Sequence, residues 1–169
     1  AFGLTYAIAS RGGDHLRAEP FFELTERYDE AEKRFGIRDI ANRLSDKGKA
    51  VLVEYTERQA LLTDCMTMCK NIGLSMDVLD FEFASRLLTA GTGLPFSKNA
   101  VDEALKRVIV RDRCMNIDFG IDAGADTLPK RFTHEPLKEG PSKGNVVPVE
   151  KMVKDYYRLR GWDADGKPK

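Results

Sequence analysis

KAVLVEYTERQALLTDCMTMCK, residues 49–70, is the stretch that decides the fold. Its apolar side chains Leu52, Tyr55, Leu62, Met66 and Cys69 recur at three- and four-residue steps with one wider gap. That is the period of a half-buried helix or a helix pair, and Gly73 is placed to stop it. Further along, a second helix is expected from Asp77 to Thr89 through Leu79, Phe83, Leu87 and Leu88, ending at Gly91 and Gly93. A third opens after Ser97, whose hydroxyl suits an N-cap, with Val101, Ala104, Leu105 and Val108 on one face. The last has Pro148 in its first turn, a buried stripe of Val149, Met152, Val153 and Tyr156, and Gly161 as its end. No segment alternates with a two-residue period, so the fold class is all-α, multihelical with long irregular connections.

Towards the N-terminus, the run from Phe2 to Ala9 is apolar and helix-like. Residues 10–19 read as a loop in which Gly12 and Gly13 permit unusual backbone angles and close approach of a ligand. Residues 25–34 carry both charge signs, as a solvated helix or connector does. Between residues 120 and 145, Pro129, Pro136 and Pro141 with several glycines predict an ordered but irregular surface connection.

A chain of 169 residues is expected to form a single helical domain, residues 1–169. Its 27 basic and 27 acidic residues cancel, so no net field draws it to nucleic acid or to an anionic membrane. Three irregularly spaced cysteines are too few for a secreted disulfide framework, which favours a reducing, cytoplasmic setting. The apolar runs fall far short of the ~20 residues that cross a bilayer. A first residue Ala1 running directly into an apolar helix, without an initiator methionine, leads us to expect a piece of a longer protein.

The chemistry-bearing string is Leu62-Thr63-Asp64-Cys65-Met66-Thr67-Met68-Cys69-Lys70, in which a carboxylate and a thiol five residues apart can face one site near a helix end. A cysteine bound to iron is a thiolate, a form that cationic Lys70 or backbone N–H groups favour. Local chemistry alone favours a buried cysteine simply packed beside Met66 and Met68. Cys65 and Cys69 alone complete no zinc or cluster signature, and Cys114 reads as structural. His15, after Gly12-Gly13-Asp14 and before Arg17, has the makings of a proton-transfer group, or of a histidine that only hydrogen-bonds backbone. Arg11 and Arg17 flank the glycine pair, and a guanidinium there could grip a phosphate in bidentate fashion. His134, in the proline-rich connection, is expected to face solvent.

Taken in order, five strings resemble the C-terminal helical domain of the tungsten-containing aldehyde:ferredoxin oxidoreductase family. They are Ser10–Arg17, Asp64–Lys70, Thr89–Gly93, Asp126–Arg131 and Tyr156–Trp162, and together they span nearly the whole chain. The resemblance implies that Asp64 hydrogen-bonds a pterin, that Met68 contacts it and that Cys69 is the fourth ligand of a 4Fe-4S cluster. It also implies that His15 lies close to the metal as the catalytic proton carrier and that Arg17 reaches the pterin. The implied cofactors are a tungsten-bis-pterin of the molybdopterin type and the cluster, with the other three cluster cysteines supplied by upstream domains of the same polypeptide. The isolated fragment is then expected to be inactive and to hold no cofactor.

The implied reaction oxidises a small aldehyde to a carboxylic acid and passes electrons through the cluster to ferredoxin, with homo-oligomer assembly left open. Two other readings are a related tungsten subunit acting on an aromatic acyl thioester and a cofactor-free helical interaction module. Three departures from the family pattern stand out: Thr67 for the usual glycine, Met68 for leucine or isoleucine, and Val110-Arg111-Asp112-Arg113 for Asn-Leu-Glu-Arg. A side chain at position 67 implies a more crowded approach to the pterin and an altered pocket.

Overall fold

The computed structural model describes residues 1–76 and 78–169. Among them there is no strand. The chain runs through α1 (Phe2–Ile8), α2 (Phe21–Leu24), α3 (Tyr28–Phe35), α4 (Lys49–Cys65), α5 (Lys70–Gly73), α6 (Phe81–Thr92), α7 (Lys98–Asp118), α8 (Lys130–Thr133) and α9 (Val149–Arg160), with 3₁₀ turns at Arg38–Ala41 and Ala123–Ala125. Among the described residues, no helix is long and apolar enough to cross a membrane.

The decisive stretch forms the centre of the molecule. Helix α4 packs against α1, α5, α7 and α9, and its buried residues, among them Leu52, Val53, Thr56, Ala60 and Leu62, lie around most of its circumference. Leu4, Leu52 and Leu62 are almost wholly buried, each contributing on the order of 1.5–3 kcal/mol. Buried residues from Ala1 to Trp162 join in one hydrophobic cluster. At the start of α4 the buried ammonium of Lys49 donates to Glu23 at 2.7 Å and to the carbonyls of Ile40 and Asn42 at 2.8 Å. One cation thereby fastens α2 and the 3₁₀ turn to the central helix, and its charge is tolerated because every donor is used.

Of the two forms expected for residues 49–70, the helix pair is found. Helix α4 stops at Cys65 and the chain turns before α5, so Cys69 sits in the extended link and is exposed rather than on a buried stripe. Gly73 closes α5, where a Cβ would come within 2.8 Å of Thr63 Cγ2, so its lack of a side chain lets α5 lie against α4. Ser97 caps α7 as expected, accepting from the Ala100 N–H at 3.1 Å. Gly161 ends α9 with φ +70°, the left-handed conformation that suits glycine. The stripe Val149, Met152, Val153 and Tyr156 is buried, joined by Tyr157.

Helix faces on α6 and α7 differ from expectation. Asp77, the expected start of the second helix, lies outside the described residues; α6 begins at Phe81, with Asp80 as its cap accepting from Phe83 N–H at 2.7 Å. Phe81, Ala84 and Ser85 are buried, whereas Phe83 and Leu87 are exposed. On α7 the buried positions are Val101, Leu105, Ile109 and Arg113, a strict four-residue step; Ala104 is half-buried and Val108 exposed. The run 25–34 contains the start of an amphipathic helix, α3, capped by left-handed Gly36.

Candidate functional site

The turn between α4 and α5 is built from backbone hydrogen bonds. Met68 N–H donates to Thr63 O at 2.9 Å and Thr67 N–H to Asp64 O at 3.1 Å, the paired bonds of a Schellman motif. In that motif the penultimate residue is left-handed, and Thr67 has φ +53°. The motif reverses the chain, leaves the carboxylate of Asp64 on the last turn of α4 and sets Cys69 in extended conformation at the head of α5. The two groups are thus held at the two ends of one short turn.

Two cations converge on Asp64. Lys70 Nζ lies 2.6 Å from one carboxylate oxygen, and Arg17 Nη1 lies 3.4 Å from the other. The Arg17 contact joins residues 47 apart in sequence, bringing the glycine loop onto the α4–α5 turn. Lys70, expected beside the Cys69 thiol, is instead the counter-ion of Asp64 and also reaches Ala60 O at 3.4 Å. Among the three cysteines, all free, the Cys65 thiol is pushed above its usual value by partial burial, with Asp64 and Asp112 adding to the effect, which works against a thiolate there. Cys69 is exposed, so the packed-core alternative for it does not hold; Met68 beside it is half-buried. Cys114 is half-buried within α7.

His15 stands apart from the Asp64 group. Its Nδ1 is 3.2 Å from the Tyr6 hydroxyl, its ring meets that of Tyr6 edge-on at 5.8 Å, and its Nε2 is 3.9 Å from Glu19. Those partners are side chains, not the backbone groups of the simpler expectation. Arg11 is occupied by Asp14, which also accepts from Leu16 N–H at 2.9 Å and so shapes the loop. His134 is exposed, as expected.

A cavity of about 1060 Å³ opens beside Tyr6, between α1 with Arg11, Gly12 and Gly13 on one side and Thr127–Pro129 with Phe132 on the other. Its far wall is fixed by a buried network that the sequence reading missed. Arg113 pairs with Asp126 at 2.9 Å and donates to Gly166 O at 2.8 Å, while the Tyr157 hydroxyl also donates to Asp126. The signal was present, since Arg113 continues the four-residue stripe of Val101, Leu105 and Ile109. Of the five strings, the first two therefore meet through Arg17 and Asp64, and the last two through Asp126 and Tyr157. The third, Thr89–Gly93, closes α6. Among the described residues, no group of three or more His, Cys, Asp or Glu side chains is arranged to hold a metal ion.

Comparison with known proteins gives a consistent result. A family model described as aldehyde ferredoxin oxidoreductase, domains 2 & 3, matches residues 1–169. The tungsten-containing aldehyde ferredoxin oxidoreductase of Thermococcus kodakarensis is 32% identical over 166 residues, covering 98% of this chain and 26% of that protein. The enzyme of the same name from Pyrococcus furiosus is likewise 32% identical over 166 residues, with the same coverage. The chain thus spans about a quarter of the length of these relatives. Among solved structures, the active site complex BamBC of benzoyl coenzyme A reductase with 1,5-dienoyl-CoA has a TM-score of 0.71 at 18% identity, covering 99% of this chain and 28% of that chain.

Proposed function

The chain belongs to the aldehyde ferredoxin oxidoreductase family, and from that premise we propose that residues 1–169 are one helical domain of a tungsten-pterin oxidoreductase converting small aldehydes to carboxylic acids. The observation that carries the reading is the Arg17–Asp64 contact, which gathers the two strings assigned to cofactor binding onto the turn that exposes Cys69. The donor set suits the group. An exposed carboxylate accepts from the ring N–H groups of a pterin, and a guanidinium donates to its oxygens or phosphate. Asp64, Arg17 and Met68 would hold the pterin, and Cys69 would supply one thiolate to a 4Fe-4S cluster whose other ligands come from upstream domains. Bound tungsten-pterin supplies two-electron redox chemistry, and the cluster supplies one-electron transfer towards ferredoxin.

What this chain contributes is placement. Lys70 and Arg17 orient the Asp64 carboxylate, and the Schellman turn fixes the thiol relative to it. His15, tied to Tyr6 at the edge of the large cavity, is the group we assign to proton transfer. A cytoplasmic location suits the three free thiols. A second reading, reduction of an aromatic acyl thioester, draws support from the fold shared with the benzoyl coenzyme A reductase complex.

Electron paramagnetic resonance of the full-length protein tests the assignment of Cys69. Cys69→Ser should lose or alter the reduced-cluster signal, whereas Cys65→Ser and Cys114→Ser should keep it; an unchanged signal in the Cys69 variant rules the assignment out. Assays with a small aldehyde and with an aromatic acyl thioester, each at known tungsten content, separate the two substrate readings.

A further inference from the structure

Behind Arg17 lies a second, much smaller cavity of about 30 Å³ where the end of α1, α4, α7 and α9 meet. Its polar lining includes Arg17, Glu57, Asp112, Arg113, Asp126 and Trp162. Two of these residues carry a buried N–H with no partner among the described residues: Nε of Arg17 and Nε1 of Trp162. Buried donors are rarely left unpaired, because their hydration is lost without replacement.

Neither donor is free to swing to a partner. The Trp162 ring is 9% exposed, packs edge-on against Tyr156 at 5.7 Å and lies under the Arg113 guanidinium at 5.5 Å. Arg17 is held at its far end by Asp64. The carboxylates lining the cavity are engaged but not saturated. Asp126 serves Arg113 and Tyr157, and Glu57 serves Tyr156 and Arg160, while a carboxylate offers about four acceptor positions. The cavity thus presents N–H donors lacking acceptors beside carboxylates with spare lone pairs.

We infer that this cavity is a buried water site in which one water accepts from Arg17 Nε and Trp162 Nε1 and donates to the carboxylates around it. A water has the two lone pairs and two hydrogens that this wall requires, and about 30 Å³ exceeds the ~10–15 Å³ a water needs. Three carboxylates line the cavity and the second guanidinium, Arg113, is already taken by Asp126 and Gly166 O, which weighs against an anion in the same place. The water makes Trp162 a positioning residue for Arg17: it fixes the inner edge of the guanidinium and leaves the outer edge on Asp64. That last consequence for cofactor binding rests on the function proposed above; the water site itself does not.

High-resolution crystal structures of the full-length protein and of its Trp162→Phe variant test this. In the parent, one ordered water is expected within ~2.7–3.2 Å of both nitrogens. In the variant, which keeps an aromatic ring but removes the N–H, that water should move or lose occupancy while Arg17 becomes less ordered. A dry cavity in the parent, or Arg17 Nε bonded directly to a carboxylate, would overturn the inference. So would an anomalous peak in the cavity after bromide replaces chloride, since that would mark an anion site. Should the variant fail to fold, the parent structure alone decides. A water in place beside an Arg17 that makes no pterin contact would overturn the cofactor reading and leave the water site standing.

Discussion

Thr67 places a β-branched side chain at φ +53°, a region that such residues avoid because Cβ crowds the neighbouring carbonyl. The resemblance puts a glycine here, and the geometry supplies a conformational reason for it: this is the left-handed position of the Schellman turn ahead of Met68 and Cys69. The departure was legible in the sequence as a missing glycine. Its backbone meaning was not, because only the hydrogen bonds to Thr63 O and Asp64 O reveal that the turn is of this type. Thr67→Gly should therefore stabilise the folded chain by about 1 kcal/mol, relief of the left-handed strain being offset in part by the greater freedom of an unfolded glycine. Denaturant midpoints of parent and variant measure this; a variant no more stable than the parent would mean that Thr67, whose Oγ1 donates to Met66 O at 2.7 Å, is compensated by that bond.

At the scale of elements, α4, α7 and α9 are joined by charges as well as by apolar faces. Arg58 on α4 pairs with Glu54 at 2.8 Å and with Asp102 on α7, and Arg160 on α9 pairs with Glu54 at 3.2 Å and with Glu57. The Asp102 carboxyl is opposed by burial, but hydrogen bonds from Lys106 and the Arg58 charge outweigh that and hold it below the usual range. A carboxyl with a depressed folded value adds stability above its unfolded value, near 3.9, and loses it as pH falls through the lower folded value. Asp102→Asn should therefore cost about 1 kcal/mol at neutral pH, and the gap from the parent should begin to narrow below about pH 4 and close only as pH falls through the lower folded value, where the folded parent is protonated too. Urea unfolding of both chains from pH 7 down to about pH 2 reads this, and a gap that does not narrow below about pH 4 would assign the loss to packing. These pairings show where the sequence was readable. The period of α9 and the caps Ser97 and Gly161 are local, and they stood out. The face of α6 did not, because the spacing of Leu79, Phe83 and Leu87 competes with that of Phe81, Ala84, Ser85 and Leu88, and only packing against α7 and, through Phe81, against Tyr55 and Arg58 of α4 selects the second.

At the scale of the whole molecule, the chain is about a quarter of the length of its relatives, so chemistry assigned to it can be measured only in the full-length protein. The order of five strings made the family legible, and four of them meet in pairs in the fold, through Arg17 with Asp64 and Asp126 with Tyr157. The role of His15 was less legible, because the local string does not disclose that Tyr6, nine residues earlier, is its hydrogen-bond partner at 3.2 Å. Two roles for it predict different losses. A proton carrier contributes about 10²- to 10⁴-fold in rate, so His15→Ala should lower turnover on that scale while tungsten content stays near normal. A histidine that only props Tyr6 at the cavity edge should instead lower stability or tungsten content and leave turnover per bound tungsten intact. Turnover normalised to tungsten, followed across pH in parent and variant, separates them. Loss of a titration step together with lost rate supports proton transfer, and unchanged normalised turnover excludes it.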